Sequence, residues 1–439
     1  MFTFNKKNIL ILGLTVLLLS SCAKRSAYYT SSSNLGSVIQ QKVSTYSNSE
    51  SVRNPLPFIE NANSDYKKKN PNLVTLKYKL MAETPFAFYR STAYIFYKDI
   101  ASNSLITSNI KIPIQGDLHL ENIGTHKTQS NLVFYDLNDF DESFTGSYTW
   151  DLARCAVSIQ LAADENKFNN DDRDELVDSF LDSYSSYIKS YKKNGISQLS
   201  KPIPSDDLSK PVKNLVDGIK QYLHKDFLEK YTANNKFIIG DKFYSINKDT
   251  ATKILAGLKE YTSKRKEPAT FYKVKDIAGY IAGTGSLGCY RYAILLEGRS
   301  NASSDDIILE FKEASLPSGV NAGANVSGNQ ASRIVKAAKY FVPSIDPYYD
   351  VTKIDSTDFY AREVIEKDKV NLSKLTKLSD FKNYLDTVAL VVARSHARSG
   401  KVENINNDID NYSKEIKKFA KNYLDQVYSD YNVFKKSVK

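Results

Sequence analysis

The sequence predicts an α+β fold of two lobes with a large helical content. This prediction depends on two long apolar helical segments, at residues 150–163 and 381–396, and on a block at 271–312 where strands flank a glycine-rich loop. Helices and strands that gather in separate blocks are typical of the α+β class. The 439 residues are enough to form more than one lobe around a large core.

The N-terminus has the pattern of a bacterial lipoprotein signal. Lys6 and Lys7 precede an apolar run at 9–19, which is too short for a helix to cross the about 30 Å hydrocarbon core of a bilayer. The segment at 19–22, Leu-Ser-Ser-Cys, then resembles the lipobox, whose cysteine thiol receives the lipid. The alternative is a short membrane anchor with a cysteine by chance, but charge, length and cleavage site agree on the signal.

This pattern leads to a prediction of location. We expect a signal peptide at 1–21, a lipidated Cys22 that anchors the chain to a membrane, and a flexible tether, rich in Ser and Tyr, at 22–55. The following domain then lies in the cell envelope, outside the cytoplasm. Ala23, rather than an aspartate that would signal inner-membrane retention, favours the outer membrane.

Composition excludes several kinds of site. The formal net charge is +10, but the lysines are scattered without a long basic block, so no nucleic-acid partner is expected. Cys155 lies in an apolar helix and Cys289 follows a glycine loop, so both are predicted to be buried small hydrophobes. The four histidines show no metal-ligand spacing with cysteine, which argues against zinc.

Hydrophobic periodicity gives an approximate order of elements. We predict helices at 85–100, 150–163, 330–341, 381–396 and 408–435, strands at 110–114, 132–137, 289–296 and 307–312, and a short strand or hinge at 359–365. A mainly helical segment is expected between 165 and 270. The resulting domains are a lobe with acidic motifs at 56–200, a helical segment at 201–270, a glycine-loop lobe at 271–372 and C-terminal helices at 373–439.

Acidic motifs after the first two strands have the spacing of a phosphotransfer site. The segment at 116–122 is Gly-Asp-Leu-His-Leu-Glu-Asn, in which Asp117 can orient or deprotonate a hydroxyl and Asn122, five positions later, can hold Mg²⁺. The segment at 138–142, Asn-Asp-Phe-Asp-Glu, places carboxylates directly after a strand, where they can bind a metal that bridges phosphates. A third segment, Trp-Asp-Leu-Ala at 150–153, begins a helix with Asp151 near its start.

A glycine-rich segment at 283–288, Gly-Thr-Gly-Ser-Leu-Gly, is the fourth element. Glycines allow backbone N–H groups to approach phosphates closely. A strand follows this segment, whereas a dinucleotide-binding fingerprint requires a helix, so a glycine hairpin is favoured. Lys312 ends the next strand, where it can pair with phosphate oxygens. The alternative is a tight hairpin beside an ordinary surface lysine. Our candidate nucleotide-binding residues are Gly283, Gly285, Ser286, Gly288 and Lys312.

The acidic motifs, taken in order, resemble the aminoglycoside and choline kinase branch of the protein-kinase-like superfamily. The resemblance implies that ATP and Mg²⁺ are cofactors, that Asp117 is the catalytic base, and that Asp151 is structural. It implies Asn122 and Asp139 as metal ligands, and Asp141 and Asp136 are rival candidates for the metal. We take His119, in the same motif as Asp117, as a second catalytic residue.

The order of these motifs is circularly permuted relative to ordinary kinases. Here the segments at 116–122 and 138–142, which would correspond to the catalytic and metal loops of a kinase, come first. The glycine loop, Lys312, the segment at 359–365 as the hinge, and the long helix at 381–396 follow. Permutation is tolerated where chain termini lie close together at the surface. With further motifs at 85–90, 359–362 and 393–400, residues 55–405 closely resemble a widespread bacterial family known only as a domain of unknown function.

Some residues depart from these patterns or have two interpretations. The helix at 330–341 contains no glutamate to pair with Lys312, and Ser91 follows Arg90 where the family usually has glycine. Arg90 is interpreted as a structural partner. His396, Arg394 and Arg398 end a helix, where their charges either complement its dipole or contact a phosphate.

Two main function hypotheses follow from the sequence. The first is a membrane-anchored phosphotransferase that moves a phosphoryl group from a nucleotide to an unknown small-molecule or protein acceptor. The second is a catalytically inactive binding module of the cell envelope, which is favoured by the scarcity of ATP outside the cytoplasm. A purely structural lipoprotein is a third, which leaves the motifs unexplained.

Overall fold

The computed structural model describes residues 53–128 and 130–438, so the predicted signal peptide and Cys22 lie outside the described residues. Helices account for 55% of the residues and strands for 15%, which confirms the α+β class and the large helical content. Residues from Asn54 onward form one compact unit. The finer division at 200, 270 and 372 stays a prediction. Among the described residues, no helix has the length and apolar character needed to cross a membrane.

Four helices precede the first strand. They are α1 (Leu56–Lys69), α2 (Pro71–Met81), α3 (Pro85–Arg90) and α4 (Ala93–Ile100). The single helix predicted at 85–100 is therefore wrong in one respect, because it breaks at Ser91 and Thr92. The Thr92 hydroxyl donates to the carbonyl of Phe88 at 2.9 Å, which is a local side-chain bond that competes with helix continuation.

The first two acidic motifs connect two short strand pairs that precede a buried helix. The strands are β1 (Lys111–Ile114), β2 (Ile123–Lys127), β3 (Val133–Leu137) and β4 (Phe144–Ser147), with β1 paired to β4 and β2 to β3. The helices that follow are α5 (Tyr148–Glu165) and α6 (Asn170–Asn194), and the chain ends in α11 (Leu378–Ala397) and α12 (Val402–Ser437). Helix α11 packs on α6, and α12 packs on α5 and α6. Helix α6 thus contacts α5, α11 and α12, and these four helices pack together.

The predicted helical segment between the two blocks is interrupted by short strands. It contains α7 (Lys210–Gln221), α8 (His224–Tyr231), β5 (Thr232–Ala233), β6 (Lys236–Phe237), β7 (Phe243–Tyr244) and α9 (Lys248–Thr262). Strand β7 joins the large sheet, and β5 pairs with β6.

The glycine-rich block forms a curled, six-stranded antiparallel sheet. Its remaining members are β8 (Val274–Tyr280), β9 (Arg291–Leu296), β10 (Ile307–Glu313), β11 (Asp350–Ile354) and β12 (Thr357–Glu363), in the order β11-β12-β10-β9-β8-β7. Helix α10 (Gln330–Phe341), whose bounds agree with the prediction, packs on β11 and β12. The glycine segment joins β8 to β9, so it is a hairpin connection as predicted. Cys155 and Cys289 are both buried.

Candidate active site

The acidic motifs and the glycine hairpin meet around one cavity of about 430 Å³. The predicted site residues that line it are Asp117, His119, Asn122, Asp139, Asp141, Gly283, Gly285 and Ser286. Lys312 reaches this set through an ion pair with Asp141. Gly288 instead packs beside Tyr66 and Val74, with a φ of +106° that favours glycine. Segments separated by more than a hundred residues in the chain thus converge on one cleft.

Asp151 holds the backbone of the loop that carries Asp117. Its carboxylate accepts hydrogen bonds from the N–H groups of Gln115 at 2.8 Å and Gly116 at 2.9 Å. Nε2 of His396 lies 3.4 Å from the same carboxylate, and Nδ1 of that ring is 2.9 Å from the hydroxyl of Tyr184. The structural role expected for Asp151 agrees with this geometry. His396 is buried behind the loop and supports it from helix α11.

Gly116 brings this loop close to the segment at 138–142, which is called the metal loop after its predicted role. Its φ is +86°, and a Cβ atom at this position would lie 1.9 Å from the carbonyl oxygen of Glu142. A positive φ and this close approach both require glycine. Gln115 adds a second connection, because its side-chain amide donates to the carbonyl of Asp139 at 2.6 Å.

Asp117 is paired with a buried cation from helix α5. Nε of Arg154 donates to Oδ1 of Asp117 at 2.6 Å, and Arg154 is fully buried. The amide nitrogen of Asn122 donates to the Asp117 carbonyl at 2.9 Å and lies 3.4 Å from Oδ2. Burial raises the pKa of Asp117 to about 6, although Arg154 opposes the rise. Asp117 is therefore largely ionised at neutral pH and basic enough to accept a proton.

His119 is buried beside Asp117. Its Nε2 lies 3.7 Å from Oδ2 of Asp117, and its Nδ1 accepts a hydrogen bond from the N–H of Glu121 at 3.2 Å. Burial, followed by the charge of Arg154, lowers the pKa of His119 well below its ordinary value. The ring is therefore neutral. Because Nδ1 accepts a hydrogen bond, the proton of the ring is on Nε2, which is the nitrogen nearer to Asp117.

The metal loop presents two carboxylates to the cavity. Asp139 has a φ of +53°, which is uncommon for a residue with a side chain. Burial alone would raise the pKa of Asp139, but nearby cations, led by Lys312 and Arg362, lower it to about 2. Asp141 has a buried Oδ1 atom without a hydrogen-bond partner. A buried carboxylate oxygen without a hydrogen-bond partner, in a cleft, is suited to bind a cation.

The oxygen ligands available here fit Mg²⁺ in type. The amide nitrogen of Asn122 is bonded to Asp117, so the amide oxygen remains for a cation. Two carboxylates and an amide oxygen, completed by water or phosphate, are ligands that Mg²⁺ accepts. In the described part of the chain, no group of three or more His, Cys, Asp or Glu side chains is placed to hold a metal ion by itself. The rival Asp136 is buried 3.9 Å from Arg398 and is not among the residues lining the cavity.

Lys312 finds its partner in the metal loop rather than in helix α10. It is 2% exposed and forms an ion pair with Asp141. The neighbouring glutamates are engaged elsewhere, Glu310 by Arg291 and Arg362, and Glu313 by Lys69. Helix α10 contributes a cation in place of the absent glutamate.

Arg333 is the cation that helix α10 contributes. Its guanidinium donates to the carbonyl of Asp141 at 2.7 Å and to the carbonyl of Ser315 at 2.9 Å. The helix therefore holds the backbone of the metal loop, and it does so without a glutamate–lysine pair.

The glycine turn is held from outside by the N-terminal helices. Arg90 donates to the hydroxyl of Thr284 at 3.0 Å and forms an ion pair with Glu121 at 2.6 Å, so it joins the glycine turn to the loop at 116–122. Its predicted structural role agrees with these contacts, although it also lines the cavity.

Arg394 and Arg398, at the end of helix α11, are not among the residues that line the cavity. They donate to the carbonyls of Lys201 and Leu199, respectively.

Sequence reasoning missed several residues of the cleft. Arg154 could have been found as a charged residue inside the apolar helix. Lys77 lies in a stripe with Val74 and Met81, at the spacing of one buried helix face.

Glu142 is a further residue of the cavity that the sequence analysis did not name as a site residue. The N–H of Ser318 donates to its carboxylate. Burial, followed by the nearby charge of Asp117, raises the pKa of Glu142 to about 7.

Comparison with known proteins identifies the family. The chain belongs to the family described as "uncharacterized protein conserved in bacteria (DUF2252)", which matches residues 69–437. This confirms the predicted membership in a bacterial domain family of unknown function. No curated protein and no solved structure matches the chain. The family match spans every predicted site residue from Asp117 to Lys312.

Proposed function

We propose that this member of the family is a Mg²⁺- and nucleotide-dependent phosphotransferase with a circularly permuted, protein-kinase-like fold. One observation carries the proposal. The candidate base Asp117, the candidate metal ligands Asn122, Asp139 and Asp141, and the glycine turn all line one cavity. A structural scaffold does not require these groups to converge, whereas phosphoryl transfer requires all of them.

The topology of the large sheet supports the kinase-like interpretation. The glycine turn joins the neighbouring strands β8 and β9, and Lys312 lies on the next strand, β10. Helix α10 and strands β11 and β12 follow, and the chain then leads to the long helix α11. This is the order of glycine loop, lysine, helix, hinge and long helix expected for a kinase-like lobe, placed after the catalytic loop.

The residues of the cleft suggest separate roles in proton transfer, metal binding and positioning. Oδ1 of Asp117 is held by Arg154, so Oδ2 is the atom that would accept the proton of an acceptor hydroxyl. Asn122, Asp139 and Asp141 would hold Mg²⁺. When bound, that ion would neutralise charge on the phosphate oxygens. Asp151 holds the backbone of the loop that carries Asp117, and Gln115 joins this loop to the metal loop.

A comparison of binding with turnover tests this proposal. The purified full-length chain is mixed with Mg²⁺ and ATP, and ADP release is measured with panels of hydroxyl and amine acceptors and with envelope extract. Asp117→Asn is expected to retain nucleotide binding and lose turnover at least a hundredfold, about the contribution of a general base. Asp139→Asn is expected to lose both. Asp217→Asn, on the surface helix α7, is the matched control.

A second candidate function is an inactive binding module of the envelope. Two buried ion pairs favour it, because Asp117 is already paired with Arg154 and Lys312 with Asp141. Under this alternative, the parent protein binds a nucleotide or another anion, and Asp117→Asn changes neither binding nor ADP release. Turnover that depends on Asp117 would exclude it.

The anchor at Cys22 is a separate proposal. It is supported by the signal-like pattern of residues 1–22. Cys22→Ser should abolish metabolic labelling with a fatty acid and release the protein from the membrane fraction. Unchanged labelling and fractionation would contradict the anchor without affecting the proposed chemistry.

A further inference from the structure

Lys77 is a buried lysine at the edge of the cleft, beside the glycine turn. It lies on helix α2, is 2% exposed and lines the cavity. Its ammonium donates to the carbonyl oxygen of Gly285 and to Oδ1 of Asn63, both at 2.6 Å. An ammonium has three N–H donors, so one remains after these contacts.

In the part of the chain that the structure describes, Lys77 has no directly paired carboxylate, although the charge of Glu142 across the cavity favours its protonated form. Two other cations that line this cavity have acidic partners, Lys69 with Glu313 and Arg90 with Glu121. Between residues 53 and 438, with position 129 left aside, no carboxylate forms an ion pair with Lys77, and its two acceptors are neutral oxygens. Burial lowers the pKa of Lys77 to about 8, so the ammonium stays mostly protonated at neutral pH.

The surroundings keep this charge in place. The amide nitrogen of Asn63 donates to the carbonyl of Ile59 at 2.8 Å, which turns its oxygen toward Lys77. Val74 and Met81, on the same face of helix α2, are buried, so this face also packs into the core. A buried charge without a directly paired counter-ion is costly, and an anion bound in the cavity would supply that partner.

We infer that Lys77 and the adjoining glycine turn form an anion subsite, which takes a phosphate group of the phosphoryl donor. The third N–H of the ammonium would donate to a phosphate oxygen while the other two hold the turn and Asn63. The assignment of the anion as a donor phosphate rests on the proposed function. The anion subsite itself rests on the burial, the neutral partners and the cavity position of Lys77.

Binding measurements with three probes test this inference. The probes are MgATP, inorganic pyrophosphate with Mg²⁺, and adenosine, each titrated by calorimetry into the full-length chain. Lys77→Gln removes the charge but keeps donors for Gly285 and Asn63. We expect it to weaken MgATP and pyrophosphate at least tenfold and to leave adenosine unchanged. Lys213→Gln, an exposed lysine paired with Asp206, is the matched control and should behave like the parent.

The outcomes separate this inference from the proposed function. Equal affinity of parent and Lys77→Gln for both phosphate probes overturns the subsite and leaves the phosphotransferase proposal standing. Pyrophosphate binding that depends on Lys77, without binding of any nucleotide, supports the subsite and contradicts the nucleotide donor. Absence of pyrophosphate and MgATP binding in the parent overturns the subsite. Circular dichroism and melting check the fold, and Lys77→Met, neutral and similar in length, repeats the comparison if the glutamine variant does not fold.

Discussion

Arg154 and Asp117 form an ion pair at the base of the cleft. Nε of Arg154 is 2.6 Å from Oδ1 of Asp117, and a terminal nitrogen is 2.5 Å from the same oxygen. The guanidinium also lies 4.4 Å from the ring centre of Tyr89 and is fully buried. This contact fixes the orientation of Asp117 and leaves Oδ2 facing Asn122 and His119.

Replacement of Arg154 should destabilise the protein in a pH-dependent way. In Arg154→Met, Asp117 loses its counter-ion, and its pKa should rise above the parent value of about 6. Removal of one partner of a buried pair costs about 3–5 kcal/mol. The loss should be larger near about pH 8 than near about pH 5, because Asp117 can take up a proton at the lower pH. Urea unfolding of parent and variant at both pH values measures this difference.

Arg154→Lys is the control for this prediction. It keeps the positive charge but loses the planar group that contacts Asp117 through two nitrogens, so an intermediate loss is expected. A pH-independent loss in Arg154→Met would show that packing, and not the ion pair, dominates.

Gly116→Ala should disrupt the loop that carries Asp117. The added Cβ would meet the carbonyl of Glu142 at 1.9 Å, and the φ of +86° is unfavourable for alanine. We expect a loss of at least about 2 kcal/mol in the free energy of unfolding, together with loss of nucleotide binding. Gly218→Ala is the matched control, because Gly218 lies within helix α7 with nothing within 4 Å of the added methyl group. It should stabilise the protein by about 0.5–1 kcal/mol, and equal effects of the two changes would contradict this account.

Glu142 should make the protein less stable as pH rises. Its folded pKa of about 7 lies above the ordinary value of 4.5, so the folded state holds the proton more tightly than the unfolded chain. The stability from this group is complete below about pH 4.5 and is lost as pH rises to about 7. Relative to Glu142→Gln, the parent should lose up to about 3 kcal/mol across this range. Urea unfolding at intervals across the range tests this, and a difference independent of pH would refute it.

Lys312→Met should make stability more dependent on Mg²⁺. Without Lys312, the Asp141 carboxylate loses its ion-pair partner and retains the more distant charge of Arg333, so the free energy of unfolding should fall by about 2–3 kcal/mol in the absence of metal. Added Mg²⁺ should then raise the melting temperature of the variant more than that of the parent. In Asp141→Asn with Lys312→Met, this extra response should disappear. Equal Mg²⁺ responses in parent and Lys312→Met would argue against Asp141 as a ligand.

The sequence predicted the composition of the cleft better than its internal contacts. Asp117 and Asn122 lie in one short segment, and Asp139 and Asp141 lie in another, so their spacing along the chain was enough to predict them as site residues. The contacts of these residues cannot be read from the same segments, because Arg154, which pairs with Asp117, and Arg333, which bonds the carbonyl of Asp141, come from helices elsewhere in the chain. Arg154 stands out as a charged residue in an apolar helix, but the sequence does not say which acid it meets. Pairing across a fold depends on tertiary packing, which a single sequence does not specify.

The same distinction holds for the fold. Helix α10 agreed with its predicted bounds because its apolar residues recur at helical spacing over the whole segment. The break between α3 and α4 was missed because Thr92 bonds back to Phe88, and threonine is compatible with a helix interior as well as with its end. The sheet order required pairings across the chain that periodicity does not encode.

Calorimetric titration of a non-hydrolysable ATP analogue tests the central claim most directly. The full-length chain is titrated with Mg²⁺ and again with EDTA in place of the metal, beside Asp139→Asn and the control Asp217→Asn. We predict binding in Mg²⁺ that weakens at least tenfold in EDTA and in Asp139→Asn, and that is unchanged in the control. Absence of binding for ATP, GTP and their analogues in the presence of Mg²⁺ would contradict the nucleotide-dependent phosphotransferase.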